Sequence, residues 1–242
     1  MRRLHVLFRW QDLDVRRIAD KTVVVLDILF ATSTIVATFG QGVRAVIPAR
    51  HAAHARALAA GRDPDSCLLA GELNIENIEG FGPPTPIALA AYPLAGRTLI
   101  FSTTNGTVAL DAAAQAKRVL VGSLLNASAV ADRICDGNDT NSVVVICAGS
   151  VGSFNLEDCY GAGCIVSRLL AQPGSDWDLT DSARAALQIF STWSAEACLF
   201  ESYVGHVIRR HGLEEELRYA ARIDTSTIVP EYAGGEITAA GG

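Results

Sequence analysis

Carboxylates recur in this chain at one kind of place, directly after an apolar run. Asp27 closes Thr22-Val-Val-Val-Leu26, Glu72 and Glu79 follow Cys67-Leu-Leu-Ala70, and Glu157-Asp158 lie beyond Ser142-Val-Val-Val-Ile-Cys-Ala148. Groups brought together in this way can bind a hard divalent cation, Mg²⁺ above all, or move protons as acid and base. Asp27, Glu79 and Asp158 are the candidate catalytic carboxylates; Asp27, Glu79, Glu157 and Asp158 are the candidate metal ligands. Asp27 is the hardest to explain by packing, because a carboxylate buried without a partner after an apolar run is costly. Glu157 and Asp158 have a simpler account as well, since a helix start favours a carboxylate through its dipole alone.

Hydroxyls and amides accompany these carboxylates. In Leu99-Ile-Phe-Ser-Thr-Thr-Asn-Gly-Thr-Val-Ala-Leu110 an apolar run breaks into Thr103, Thr104, Asn105, Gly106 and Thr107. Three hydroxyls, an amide and a glycine that lets backbone approach a ligand make an anion cradle at a helix start. Thr32, Glu72, Ser123, Asn126 and Gly149 occupy comparable junctions and join the candidate substrate-binding set. The ligand they suit is a small anionic phosphate ester. The alternative account is local: Asn-Gly is a common turn, and Ser, Thr and Asn ahead of a helix are often caps.

The elements that must position these residues alternate. Residues 22–27 read as a strand buried on both faces, and Ala31-Thr-Ser-Thr34 caps a helix ending at Gly40 or Gly42. A strand over 43–47 closes at Pro48, and a helix over 51–60 follows. Strands are expected at 67–70, 97–101, 119–121 and 142–148, with helices over 108–116, from about 127 to 135, and from 156 through Leu169. A turn over 137–141 precedes the 142–148 strand. From Asp181 the pattern is mainly helical, and the glycine-rich tail after Pro230 reads as loose. This alternation predicts an α/β fold, a mainly parallel sheet flanked by helices in three layers, with strand-end loops as the ligand site. Residues 1–242 form one unit, with a division into two lobes near 80–86 as the alternative.

Half the residues are apolar, 19% are charged and the net charge is −6, the composition of a globular chain. Without a Lys/Arg cluster it is a poor ligand for nucleic acid, whose affinity rests on phosphate neutralisation. No apolar run is long enough for a bilayer, and no signal peptide pattern opens the chain, so the cytoplasm is the expected location. The six cysteines include no C-x-x-C pair and are expected to be reduced and packed as small hydrophobes. The five histidines show no metal spacing. A homodimer is the base-rate expectation for assembly.

Several segments together carry a resemblance. Val24-Val-Leu-Asp-Ile-Leu-Phe-Ala-Thr32, Gly71-Glu72, Ile78-Glu-Gly-Phe81, Thr103-Thr-Asn-Gly-Thr107, Gly122-Ser-Leu-Leu-Asn-Ala-Ser128, Cys147-Ala-Gly149 and Leu156-Glu-Asp158, in this order, resemble the 2-phosphosulfolactate phosphatase family. The resemblance runs on to Asp224 and Val229-Pro230. It implies an α/β/α fold and Mg²⁺-dependent hydrolysis of 2-phospho-3-sulfolactate to 3-sulfolactate and phosphate, on a route to coenzyme M.

The departures bear on substrate. The family pattern implies arginine where this chain has Phe30 and Leu73, and asparagine in the segment that is here Pro83-Pro-Thr-Pro86. Two guanidiniums suited to bidentate contact with phosphate or sulfonate are therefore replaced by apolar groups, unless Arg2, Arg3, Arg44 or Arg97 reaches the site instead. Three readings follow: a phosphatase for 2-phosphosulfolactate, a relative acting on a less anionic substrate, and a non-catalytic binding or assembly subunit. The retained polar strand ends favour the first two.

Overall fold

Three valines in a row leave the backbone little choice, because β-branched side chains crowd a helix and fit a pleated surface. Thr22–Leu26 and Val143–Cys147 accordingly form fully buried, directly paired strands. The computed structural model describes residues 2–136, 141–150 and 152–239, so most of the turn expected at 137–141 lies outside the described residues.

The first half of the chain runs β1 (Arg2–Leu7), β2 (Thr22–Leu26), α1 (Ala31–Gly40), β3 (Ala45–Ala49), α2 (Ala52–Ala59), β4 (Cys67–Leu73), β5 (Glu76–Asn77), α3 (Pro86–Leu89), β6 (Thr98–Ser102) and α4 (Gly106–Ala112). The second runs β7 (Arg118–Gly122), α5 (Ala127–Cys135), β8 (Val143–Cys147), α6 (Leu156–Leu170), β9 (Trp177–Leu179), α7 (Asp181–Thr192), α8 (Ala195–Glu201), α9 (Tyr203–Arg210), α10 (Glu214–Ala220), β10 (Pro230–Ala233) and β11 (Glu236–Ala239).

All the strands join one sheet in the order β5-β4-β6-β3-β11-β10-β7-β2-β8-β1-β9. β4, β6 and β3 pair in parallel, as do β7, β2, β8, β1 and β9. Between these blocks lies the β10–β11 hairpin, antiparallel to β7 at Glu231 and Leu120 and to β3 at Ile237 and Val46.

Alternation along the strands builds the layers. Val23, Val25, Val119, Val121, Val144 and Ile146 pack with Ile35 and Val36 of α1, Leu89 of α3 and Leu110 of α4. Val24, Leu26, Leu120, Val143, Val145 and Cys147 face α5 to α10 on the other side. There α2 covers the β3–β6–β4 end through Ala55, against Ala49, Cys67 and Ile100. Each buried valine contributes roughly 1.5–3 kcal/mol relative to exposure. The fold is thus α/β, with a large, mostly parallel sheet flanked by helices.

Two expectations need correction, and one strand stands where none was expected. The tail is not loose: Gly234 and Gly235 take φ of +59° and +86°, turning the chain so that Tyr232 and Ile237 enter the core. Pro48 does not close its strand, which continues to Ala49. β11 meets β3 only at Val46, so β3 is an edge beyond that point, where proline is tolerated. Arg2–Leu7, unassigned in the sequence, is a strand against β8, because His5 and Arg3 face outward while Leu4 and Val6 are buried.

Candidate functional site

The carboxyl ends of β2, β4, β6 and β8 meet around a cavity of about 230 Å³. Asp27, Glu72, Thr104 and Gly149 reach it from those four ends, Asn155 and Glu157 from the start of α6, and Tyr203 and Val204 from α9.

Glu72 is the most firmly held. Successive side chains of a strand leave it on opposite faces, and at the end of β4 Glu72 is buried while Leu73 is exposed. Glu72 Oε1 accepts from the Thr104 backbone N–H at 2.6 Å; Oε2 accepts from the Thr104 hydroxyl at 2.9 Å and the Ile75 N–H at 2.7 Å. The same hydroxyl accepts from the Asn74 N–H at 2.8 Å. This clamp requires a backbone of low population: Asn74 and Ile75 have φ of +53° and +74°, unusual for a β-branched residue. Gly71 lets the strands close, since a Cβ there would lie 1.9 Å from the Ser102 carbonyl oxygen.

Asp27 sits where α1 begins. The Thr32 hydroxyl accepts from the Asp27 N–H at 2.9 Å and donates to the Asp27 carbonyl at 3.0 Å, which fixes the strand-to-helix turn. On the other side α4 presses in at Gly106, where a Cβ would lie 2.3 Å from Asp27 Oδ2. Burial pushes the Asp27 carboxyl well above the usual range, reinforced by the charges of Asp158 and Glu72; backbone hydrogen bonds from Ala31 and Phe30 pull the other way.

Glu157 and Asp158 are neighbours with different duties. Asp158 accepts from the Ile28 N–H at 2.9 Å and the Gly149 N–H at 3.0 Å, so it staples the ends of β2 and β8 together. Burial and the Glu157 charge push it up to about 8 against those two donors. Glu157 lines the cavity, is 1% exposed, and leaves Oε2 without a hydrogen-bond partner. Burial pushes it up to about 7.

The residues expected from sequence therefore separate. Asp27, Glu72, Thr104, Asn105, Gly149 and Glu157 line the one cavity. Glu79 does not: β4 runs on to Leu73 and doubles back through β5, which leaves Glu79 exposed, with its carbonyl accepting from Arg56 at 2.9 Å. Asp158 is not in the wall either, because both its oxygens are turned to the backbone. Thr103 and Thr107 are buried and bond each other; the Thr107 hydroxyl also meets the carbonyls of Thr103 and Ala49. Ser123 and Asn126 form a capping box, and the Asn126 amide reaches the Ile228 carbonyl at 2.9 Å. Thr32 and Gly106 shape the site from behind its wall. Of the two apolar replacements, Phe30 lines the cavity and Leu73, 58% exposed, does not.

Sequence reasoning missed the α9 contribution, Tyr203 and Val204, since nothing local marks them. Among the described residues no Lys, Arg or His lines the cavity. Arg2 stacks on Trp177, Arg3 pairs with Asp178, Arg44 bonds Thr98 and Arg97 pairs with Asp65.

The donor set suits a hard cation. Among the described residues no three His, Cys, Asp or Glu side chains are grouped closely enough to hold an ion between them. Mg²⁺, however, is commonly held by one or two carboxylates, with water and substrate oxygens completing the shell. Asp27 and Glu157 are a fitting pair: one is crowded by like charge and the other has a buried, unpartnered oxygen.

A family model described as 2-phosphosulpholactate phosphatase matches residues 8–235. A probable 2-phosphosulfolactate phosphatase of Caldanaerobacter subterraneus subsp. tengcongensis is 34% identical over 229 residues, 93% of each chain. Proteins with the same name from Clostridium beijerinckii and Clostridium acetobutylicum are each 32% identical, over 98% and 97% of this chain and 99% of their own.

Proposed function

Because the chain belongs to the 2-phosphosulpholactate phosphatase family, we propose that it hydrolyses the phosphate monoester of a small 2-hydroxy acid with the help of Mg²⁺. The observation that carries this reading is the cavity at the strand ends, where Asp27, Glu72 and Glu157 converge without a basic side chain among the described lining residues. A phosphate dianion cannot approach such a wall alone, because like charges in a site of low dielectric repel strongly. Mg²⁺, when bound, supplies the positive charge that phosphoryl transfer needs.

The protein's own share is positional. Asp27 and Glu157 would hold the cation, and cation binding there would displace their protons. Glu72, fixed by Thr104 and Ile75, would accept a further hydrogen bond from the attacking water. Asn105 would offer an amide to a phosphate oxygen, with Phe30 and Val204 in the same lining. The bond from phosphorus to the ester oxygen breaks, one to water forms, and the water's proton ends on the hydroxy acid. The six free cysteines suit a reducing compartment, and we place the enzyme in the cytoplasm.

A second reading, a less anionic substrate than 2-phosphosulfolactate, is favoured by Phe30 in the wall and by the pairing of Arg2, Arg3, Arg44 and Arg97 elsewhere. Phosphate release from 2-phosphosulfolactate and from 2-phospholactate, with Mg²⁺ and with chelator, tests both readings. Mg²⁺-dependent release is expected, and its absence with every 2-hydroxy acid ester tried overturns the proposal. Turnover of 2-phosphosulfolactate at about 10⁴ M⁻¹s⁻¹ or above would remove the second reading.

A further inference from the structure

Phe30 and Ile75 line a second space as well. A recess of about 170 Å³ adjoins the carboxylate cavity there, lined by these two residues and by Pro83, Pro84, Ile208 and Leu213. Its polar neighbours are occupied or exposed. The Thr85 hydroxyl donates to Glu216 Oε1 at 2.7 Å, while Glu76, Asn77 and His211 are exposed. The recess and the carboxylate cavity therefore adjoin, polar and then apolar, with Phe30 and Ile75 in the lining of both.

Ile75 joins the compartments to the clamp. Its φ of +74° directs the backbone N–H to Glu72 and leaves the side chain lining both spaces. A strained backbone persists where its surroundings fix it, and such positions cluster at ligand sites.

Taking the proposed phosphatase reading as its basis, we infer that the recess receives an apolar substituent on C3 of the substrate's 2-hydroxy acid, a branched alkyl or phenyl group. A sulfonate stays ionised and must be matched by a cation when it leaves water. The carboxylate cavity offers none among the described residues, and the recess offers only the exposed imidazole of His211. Size fits as well, since an apolar cavity of about 150 Å³ accommodates benzene.

Two measurements on the unmodified protein decide the matter. Phosphate release is followed for the 2-phosphate esters of 3-phenyllactate, lactate and 3-sulfolactate, and binding of the three free hydroxy acids is followed by calorimetry. Burying a phenyl group predicts a preference for the phenyl compound of about tenfold or more in kcat/KM and in affinity. A variant that fills the recess, Ala88→Phe, should bring the phenyllactate-to-lactate ratio close to one.

Phenyllactate binding best while no ester is hydrolysed would leave the recess assignment standing and overturn the phosphatase reading. Preference for sulfolactate in either assay, a phenyl preference that Ala88→Phe leaves unchanged, or no binding of any acid would overturn the recess assignment.

Discussion

Glu72 and Glu157 are both buried, both acidic and both in the wall of one cavity, yet the fold treats them oppositely. Glu72 receives three hydrogen bonds, two of them from backbone N–H groups on different segments. Glu157 has one oxygen with no partner. The β4–β6 side of the site is complete before any ligand arrives. The β8–α6 side keeps a buried carboxylate oxygen without a hydrogen-bond partner. A buried carboxylate costs several kcal/mol unless it is paired, so the second arrangement does not serve stability.

One conservative change separates the two. Glu157→Gln keeps the shape and removes the charge, and Mg²⁺-dependent phosphate release should fall by about a hundredfold or more. In Mg²⁺-free buffer near pH 8 the same variant should melt above the unmodified protein, because an unpartnered buried charge has gone. Glu72→Gln should do the reverse. Both Glu72 oxygens accept a backbone N–H, so the amide NH₂ of glutamine must face a donor whichever way it turns. A loss of about 1–3 kcal/mol is expected. Denaturant melts of both variants check the comparison, and a shift of the same sign in both would break it.

The pH dependence sharpens it further. Glu157 has its folded-state pKa raised from 4.5 to about 7. Between those values the folded protein binds more protons than the unfolded chain, so stability must fall as pH rises through this window. Asp27, also raised, adds a loss of the same sign. Mg²⁺ should flatten the profile and be taken up with release of protons, measurable as buffer-dependent heat in calorimetry. The flattening should vanish in Glu157→Gln and survive in Thr104→Val, which removes a hydroxyl that holds Glu72 and neither proposed metal ligand.

How much of this was legible in the sequence follows from the same contrast. Asp27, Thr104 and Gly149 stand at the ends of strands whose apolar runs announce themselves, and strand ends in α/β sheets converge. The threonine-rich loop has the residue types of an anion cradle, but its hydroxyls serve the protein: Thr103 and Thr107 bond each other, and Thr104 holds Glu72. Residue type reveals the donors and not the acceptors they will find. Glu79 was misplaced because nothing in Leu73-Asn-Ile-Glu76 signals a turn with isoleucine in the left-handed region. The β10–β11 hairpin was hidden for a related reason: Gly234-Gly235 reads as looseness until the strands beside it are seen to complete the sheet. Tyr203 and Val204 come to the cavity through helix packing alone, which has no local mark.

The smallest effect tests the boundary of the site. Phe30 and Leu73 both stand where the resemblance implies arginine, and along the chain they lie three and one residues from Asp27 and Glu72, so sequence makes them equivalent. The structure does not. Leu73 follows Glu72 on an alternating strand and must face the opposite way; it is 58% exposed, whereas Phe30 is 9% exposed and in the wall. Leu73→Arg should therefore change stability by no more than about 0.5 kcal/mol, as surface substitutions do, and leave kcat/KM for any phosphate ester within about twofold. Phe30→Arg places a guanidinium beside Asp27 and should improve KM for 2-phosphosulfolactate relative to 2-phospholactate, since only the former carries a sulfonate to be matched. Steady-state kinetics with the two esters separates the positions. An improvement from Leu73→Arg equal to that from Phe30→Arg would mean that β4 presents Leu73 to the ligand after all, and that the cavity extends past the clamp.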